Sequence, residues 1–72
     1  MEYENKFASI LKELRQEFEI GQIELAEKIG VSKGIISLWE NGLREPTMSS
    51  IIALSKFFNV STDYLLGLDI NK

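Results

Sequence analysis

Residues 22–42 read QIELAEKIGVSKGIISLWENG, and the fold turns on this stretch. Leu25, Ala26 and Ile29 recur at helical spacing before Gly30, the residue type that best suits the position just past a helix end. Ser32 then offers a hydroxyl to cap the N–H groups of a second run, residues 33–40, which Asn41 and Gly42 close. The spacing predicts helices over residues 22–29 and 33–40, joined by a turn of three residues. Helices this short are marginal alone in water, so tertiary contacts must hold them, at a wide angle rather than as a coiled coil.

Outward from this pair, Phe7, Ile10, Leu11, Leu14 and Phe18 repeat at three and four, with charged residues between, predicting an amphipathic helix over residues 5–18 that Gly21 interrupts. Downstream, LREP reads as a polar loop, and Pro46 with a capping Thr47 starts a fourth helix over residues 48–58, carrying Ile51, Leu54, Phe57 and Phe58. Asn59 suits a left-handed exit. Ser61 as N-cap and Asp63 in the first turn open a last short helix through Tyr64, Leu65 and Leu66, closed by Gly67. No segment alternates with period two long enough to be a strand. The expectation is one all-α domain of five helices over residues 1–72, with a core at 5–67 and a short tail at 68–72.

Composition removes several classes of function. A chain of 72 residues, 44% hydrophobic and 26% charged, is one small globular domain, too small for a deep substrate cavity. It has no Cys and no His, which removes the usual zinc ligands, thiol nucleophiles and the commonest general base. Scattered carboxylates with no partner base make a poor catalyst, so no enzyme, metal or cofactor is expected. No glycine loop for phosphates and no small-molecule effector site is evident. No apolar run approaches the ~18 residues of a membrane span and MEYENKF does not read as a signal peptide, so the cytoplasm is the expected location.

At about 100° per residue, Ile36 and Trp39 point one way along the third helix and Lys33, Gly34, Ser37 and Asn41 the other. Such an edge fits a major groove about 12 Å wide, where Lys33 can donate to guanine and Leu38 can cover a thymine methyl. Periodicity alone leaves a plain solvated helix face equally open. The net charge of −3 and pI near 4.8 weigh against nucleic acid. Local fields decide, however: with a screening length of about 8 Å at physiological salt, one face can be basic while another is acidic.

Together with LKELR upstream and IIALSKFFNVSTDYLLG downstream, the quoted stretch resembles the phage repressor and Cro type of helix-turn-helix domain, over nearly the whole chain. The resemblance implies a lambda-repressor-like fold and a sequence-specific regulator of transcription. It implies that Lys33, Gly34, Ser37 and Leu38 face base edges or adjacent phosphates. Gln22, Asn41 and Arg44 fall at positions that contact the phosphate backbone. Arg15 and Glu40 occupy positions of a partly buried ion pair, Ala26 lets the second and third helices approach, and Trp39 anchors the core.

This chain departs from the pattern at Gly21, where a Thr or Ser cap is usual, and at Ile23 and Leu43, where polar or basic residues are usual. Lys33 and Arg44 are the clear local cations, with Lys28 and Lys56 as secondary candidates. Two or three phosphates neutralised per subunit give a salt slope of about −2 to −3, so a homodimer on a near-palindromic operator is the natural form. In relatives the dimer contact often lies near the last two helices, which points to Val60, Thr62, Tyr64 and Leu66 and to an exposed Leu68 and Ile70, although simple cover for the core explains the same residues. The competing reading is a protein-interaction module on the same fold that uses Ile23, Leu38 and Leu43 as an apolar patch.

Overall fold

Five helices follow one another in the computed structural model, which describes residues 5–72: α1 (Phe7–Glu17), α2 (Gln22–Ile29), α3 (Lys33–Glu40), α4 (Met48–Phe58) and α5 (Thr62–Leu65). Residues 1–4, and with them the start of the reading that finds no targeting segment, lie outside the described residues. There is no strand among the described residues, and none of their helices is long and apolar enough to cross a membrane.

The three predicted N-caps are all built as side-chain caps. Ser32 accepts from the N–H of Ile35 at 3.2 Å, Thr47 from Ser50 at 3.2 Å and Ser61 from Tyr64 at 3.0 Å. Gly21 stands at the N-cap of α2 in extended conformation and offers no side-chain acceptor.

The five C-termini share one device. A residue of positive φ follows each helix, and the next N–H reaches back to the carbonyl five residues earlier: Ile20 to Arg15, Val31 to Ala26, Leu43 to Leu38, Val60 to Ser55 and Leu68 to Asp63. Gly30, Gly42 and Gly67 take the positive φ without steric cost, and Asn59 takes it at φ 55°. After α1 the turn falls on Glu19, at φ 54°, and not on Gly21 as the sequence suggests. That turn drops Ile20 into the core. Gly67 is held by space as well as by backbone, because a Cβ there would come 2.6 Å from Cβ of Lys6.

Glu19 is exposed, so Glu19→Gly should relieve the strained conformation and lose little else. The net gain should be about 0.5–1 kcal/mol, read as a Tm rise of about 3–6 °C. A lower Tm would show that the exposed carboxylate holds something the backbone strain does not outweigh.

The core gathers Phe7, Leu11 and Leu14 of α1, Leu25 and Ala26 of α2, Ile36 and Trp39 of α3, Leu54 and Phe58 of α4, and Leu65 of α5. Ile20 and Val60 join it from the turns. Trp39 meets Phe7 edge-on at 6.0 Å between ring centroids, and Phe18, Phe57 and Phe58 form a second aromatic group, Phe18 lying edge-on to Phe58 at 5.0 Å. Phe18 is half exposed, so the apolar face of α1 ends earlier than its sequence pattern. α2 and α3 pack on each other; α1 supports α3, and α4 supports α2, which fixes α3 against α1 and α2 while one edge stays in solvent.

Candidate nucleic-acid interface

The exposed edge of α3 is arranged by what the rest of that helix buries. Ile36 and Trp39 are fully in the core, and Ile35 packs against it from the side. Lys33 and Gly34 are left exposed, while Ser37 and Leu38 are half buried. All four thus lie outside the core, but the second pair presents less surface than the sequence suggests. Gly34 opens a shallow place in the ridge: beyond its chain neighbours and the backbone of its own helix, a Cβ built there would meet Oγ of Ser32 at 3.8 Å and no other atom of the described residues within 4 Å.

Glu40 is the single acidic residue of α3, and it is drawn away from this edge. Arg15 grips it with two bonds, Nε to Oε2 at 2.6 Å and Nη2 to Oε1 at 3.0 Å, and donates a third from Nη1 to the carbonyl of Ile20 at 3.1 Å. The Glu40 side chain is only 5% exposed and that of Arg15 16%. Arg15 is consequently pushed above its ordinary pKa by the hydrogen bond with Glu40, against the opposing effect of burial and with added help from the carboxylate charge. One guanidinium thereby ties the end of α1, the turn after it and the end of α3.

Gln22 joins the same carboxylate, donating from Nε2 to Oε1 of Glu40 at 3.1 Å. The amide at the start of α2 is therefore oriented from behind, and its second N–H remains for an outside acceptor. Asn41 is turned onto its own helix: Nδ2 donates to the carbonyl of Ser37 at 2.8 Å and lies 3.4 Å from its hydroxyl. It caps the last turn of α3 and steadies Ser37. Arg44 is exposed in the loop before α4 and makes no ion pair among the described residues, and the same is true of Lys33.

Some features escape the sequence reading. Arg44 and Glu45 share an open groove of about 290 Å³ with Val31, Ile35, Trp39 and the hydroxyl-bearing residues Thr47, Ser49 and Ser50 around the start of α4. Its signal in the sequence is the Thr-x-Ser-Ser run 47–50, whose hydroxyls bond one another as well as capping α4. A second, more apolar open groove of about 360 Å³ is lined by Asn5, Phe7, Glu45, Pro46, Ile51, Leu66 and Leu68.

The residues expected at a dimer contact separate. Val60 is 8% exposed and belongs to the core, in line with the reading of these residues as core cover: it follows the left-handed turn at Asn59, and Ser55 Oγ donates to its carbonyl. Thr62, Tyr64 and Leu66 are half buried. The tail lies over α5, with the Lys72 carbonyl accepting from the N–H of Ser61 at 3.0 Å and its ammonium 2.8 Å from Glu17 and 5.7 Å above the Tyr64 ring. Leu68 and Ile70 are largely exposed.

Comparison with known proteins agrees with this geometry. The HTH-type transcriptional regulator ImmR of Bacillus subtilis (strain 168) is 44% identical over 59 residues, 82% of this chain and 46% of that protein. The crystal structure of the phage P22 c2 repressor with a synthetic operator superposes with a TM-score of 0.83 at 36% identity, covering 88% of this chain and 96% of that one. SinR of Bacillus subtilis in complex with DNA superposes with a TM-score of 0.77 at 33% identity, over 83% and 97% of the two chains. The chain spans between 30% and 52% of the length of the first curated relatives it matches. The profile of the helix-turn-helix family matches residues 11–65, and with α2 and α3 forming the motif itself, this chain belongs to that family.

Proposed function

We propose that the chain is the DNA-binding domain of a transcription regulator, a repressor that sets α3 in the major groove of a near-palindromic operator as a homodimer in the cytoplasm. The family is one of regulators rather than of enzymes, and two of the similar structures are protein–DNA complexes. The observation that carries the reading is electrostatic. The presented edge of α3 holds Lys33 and no free carboxylate, because Glu40 is bound by Arg15 and Gln22. A domain of net charge −3 thereby keeps one face that phosphate can approach.

On this reading Lys33, Gly34, Ser37 and Leu38 face bases, while Gln22, Arg44 and the residues around Asn41 set the register on the backbone. Thr62, Tyr64 and Leu66 remain as the dimer side. Duplexes selected from a random pool by the purified protein should share a two-fold symmetric site with half-sites about 34 Å apart. Lys33→Ala should weaken binding to the selected site by about tenfold and to mixed duplex by less, with thermal stability unchanged. Equal binding of the selected site by this variant would move the docking face elsewhere.

A second reading rests on Ile23 and Leu43, which are 64% and 75% exposed beside the motif. They suit a protein partner better than phosphate. Titration of mixed duplex from low to physiological salt separates the two: binding with a slope of about −2 to −3 per subunit supports the regulator, and no binding at low salt supports the interaction module.

A further inference from the structure

Glu40 closes the third helix inside the domain, yet one of its partners, Gln22, stands half buried at the start of α2. A carboxylate accepts hydrogen bonds and donates none, so the corner of the Gln22 amide that faces Glu40 must be its NH2 group. The bond runs from Nε2 to Oε1 over 3.1 Å. Arg15 holds the same oxygen from Nη2 at 3.0 Å and the other from Nε at 2.6 Å, and the Glu40 side chain is only 5% exposed. The carboxylate therefore has little freedom to turn away.

A glutamine amide in water has no such fixed sense. Its terminal torsion is roughly two-fold, and the torsions before it have three staggered wells each, so carbonyl and NH2 are presented about equally in any direction. Toward a phosphate the two senses have opposite effects: the NH2 group donates, and the carbonyl oxygen repels. Glu40 excludes the wrong sense before DNA arrives, and Arg15 offsets the carboxylate charge that would otherwise stand behind the same amide. Resting on the DNA-binding reading above, in which Gln22 meets a backbone phosphate, we infer that Glu40 is a positioning residue for DNA binding: held by Arg15, it fixes the Gln22 amide with its second N–H turned to that phosphate. The ion pair then couples the packing of α1 on α3 to the grip of α2 on the DNA backbone, without touching DNA itself.

The test uses the duplex recovered by selection, with each phosphate in turn replaced by a methylphosphonate, which removes one charge and leaves the bases as they were. In the wild-type protein one position per half-site should lose about tenfold in affinity through Gln22, and in Gln22→Ala the loss at that position should shrink to that of an uncontacted phosphate. Arg15→Met with Glu40→Leu removes both charges together and leaves neither buried alone, so this variant can be assayed folded, below its Tm. There the loss at the Gln22 position should fall to about threefold, because the freed amide spreads over several orientations, while the losses at other phosphates stay as in wild type. A role confined to stability would single out no position. If the double variant keeps the loss at that position in full, or if Gln22→Ala leaves every position unchanged, the inference fails while DNA binding stands. If no duplex is retained even at low salt, both fail.

Discussion

Arg15→Ala should be the most damaging single charge removal in this domain, costing about 3–5 kcal/mol of unfolding free energy. The reason lies less in the lost attraction than in what is left behind. Glu40, whose side chain is 5% exposed, would keep its charge in the interior with Gln22 as its remaining side-chain donor. The carbonyl of Ile20 would also lose the bond from Nη1. A domain of 72 residues has about 4–11 kcal/mol in total, so the loss removes a large part of its stability. Urea unfolding should show the midpoint shift, and the Tm should fall by at least about 12 °C.

The sign of the pH effect follows from the raised pKa of Arg15. Its stabilising contribution is complete from the neutral range up to the ordinary guanidinium value and disappears only as pH rises through the raised one. The wild-type and Arg15→Ala curves should therefore stay apart across the neutral range instead of converging there. Replacing both partners, Arg15→Met with Glu40→Leu, should recover most of the loss, because no buried charge then remains. If Arg15→Ala alone unfolds within 1 kcal/mol of wild type, the pair is not what joins α1 to α3.

The same network shows where sequence reading reaches and where it stops. Periodicity locates Ile36, Trp39, Leu54 and Phe58 because each helix must bury one face, and short-range chemistry locates Ser32, Thr47 and Ser61 because a cap is made within three residues. The bond from Gln22 to Glu40 spans eighteen positions in sequence, and only the angle between α2 and α3 creates it. Glu19 misleads for the opposite reason: its local preference argues against a positive φ, yet the burial of Ile20 decides the turn. For Val60 the sequence leaves core cover and subunit contact both open, and the left-handed turn at Asn59 is followed by its burial in the core. On the presented edge, the order of residues indicates the chemistry, while the neutralisation of Glu40 by Arg15 and Gln22 is visible only in the coordinates.

Trp39→Ala should cost about as much stability as loss of the ion pair, for a different reason. The indole is 2% exposed, meets Phe7 edge-on at 6.0 Å and fills the space where α3 rests on α1. Removing it loses the transfer energy of a large aromatic and leaves a cavity that a small, tightly connected core cannot close, together about 3–5 kcal/mol. A tryptophan used to stack on bases would behave otherwise, since its removal would spare the Tm and weaken binding directly. The two roles can be separated in the wild-type protein, because Trp39 is the only tryptophan in the chain. Its fluorescence should be that of a buried indole, should shift to the red on unfolding, and should change little when operator is added. Trp39→Phe should keep most of the fold and, at temperatures where it is folded, bind DNA nearly as well as wild type. Strong quenching by DNA, or a Trp39→Ala variant with an unchanged Tm, would place the indole on the binding surface and remove the support that holds the edge of α3 in position.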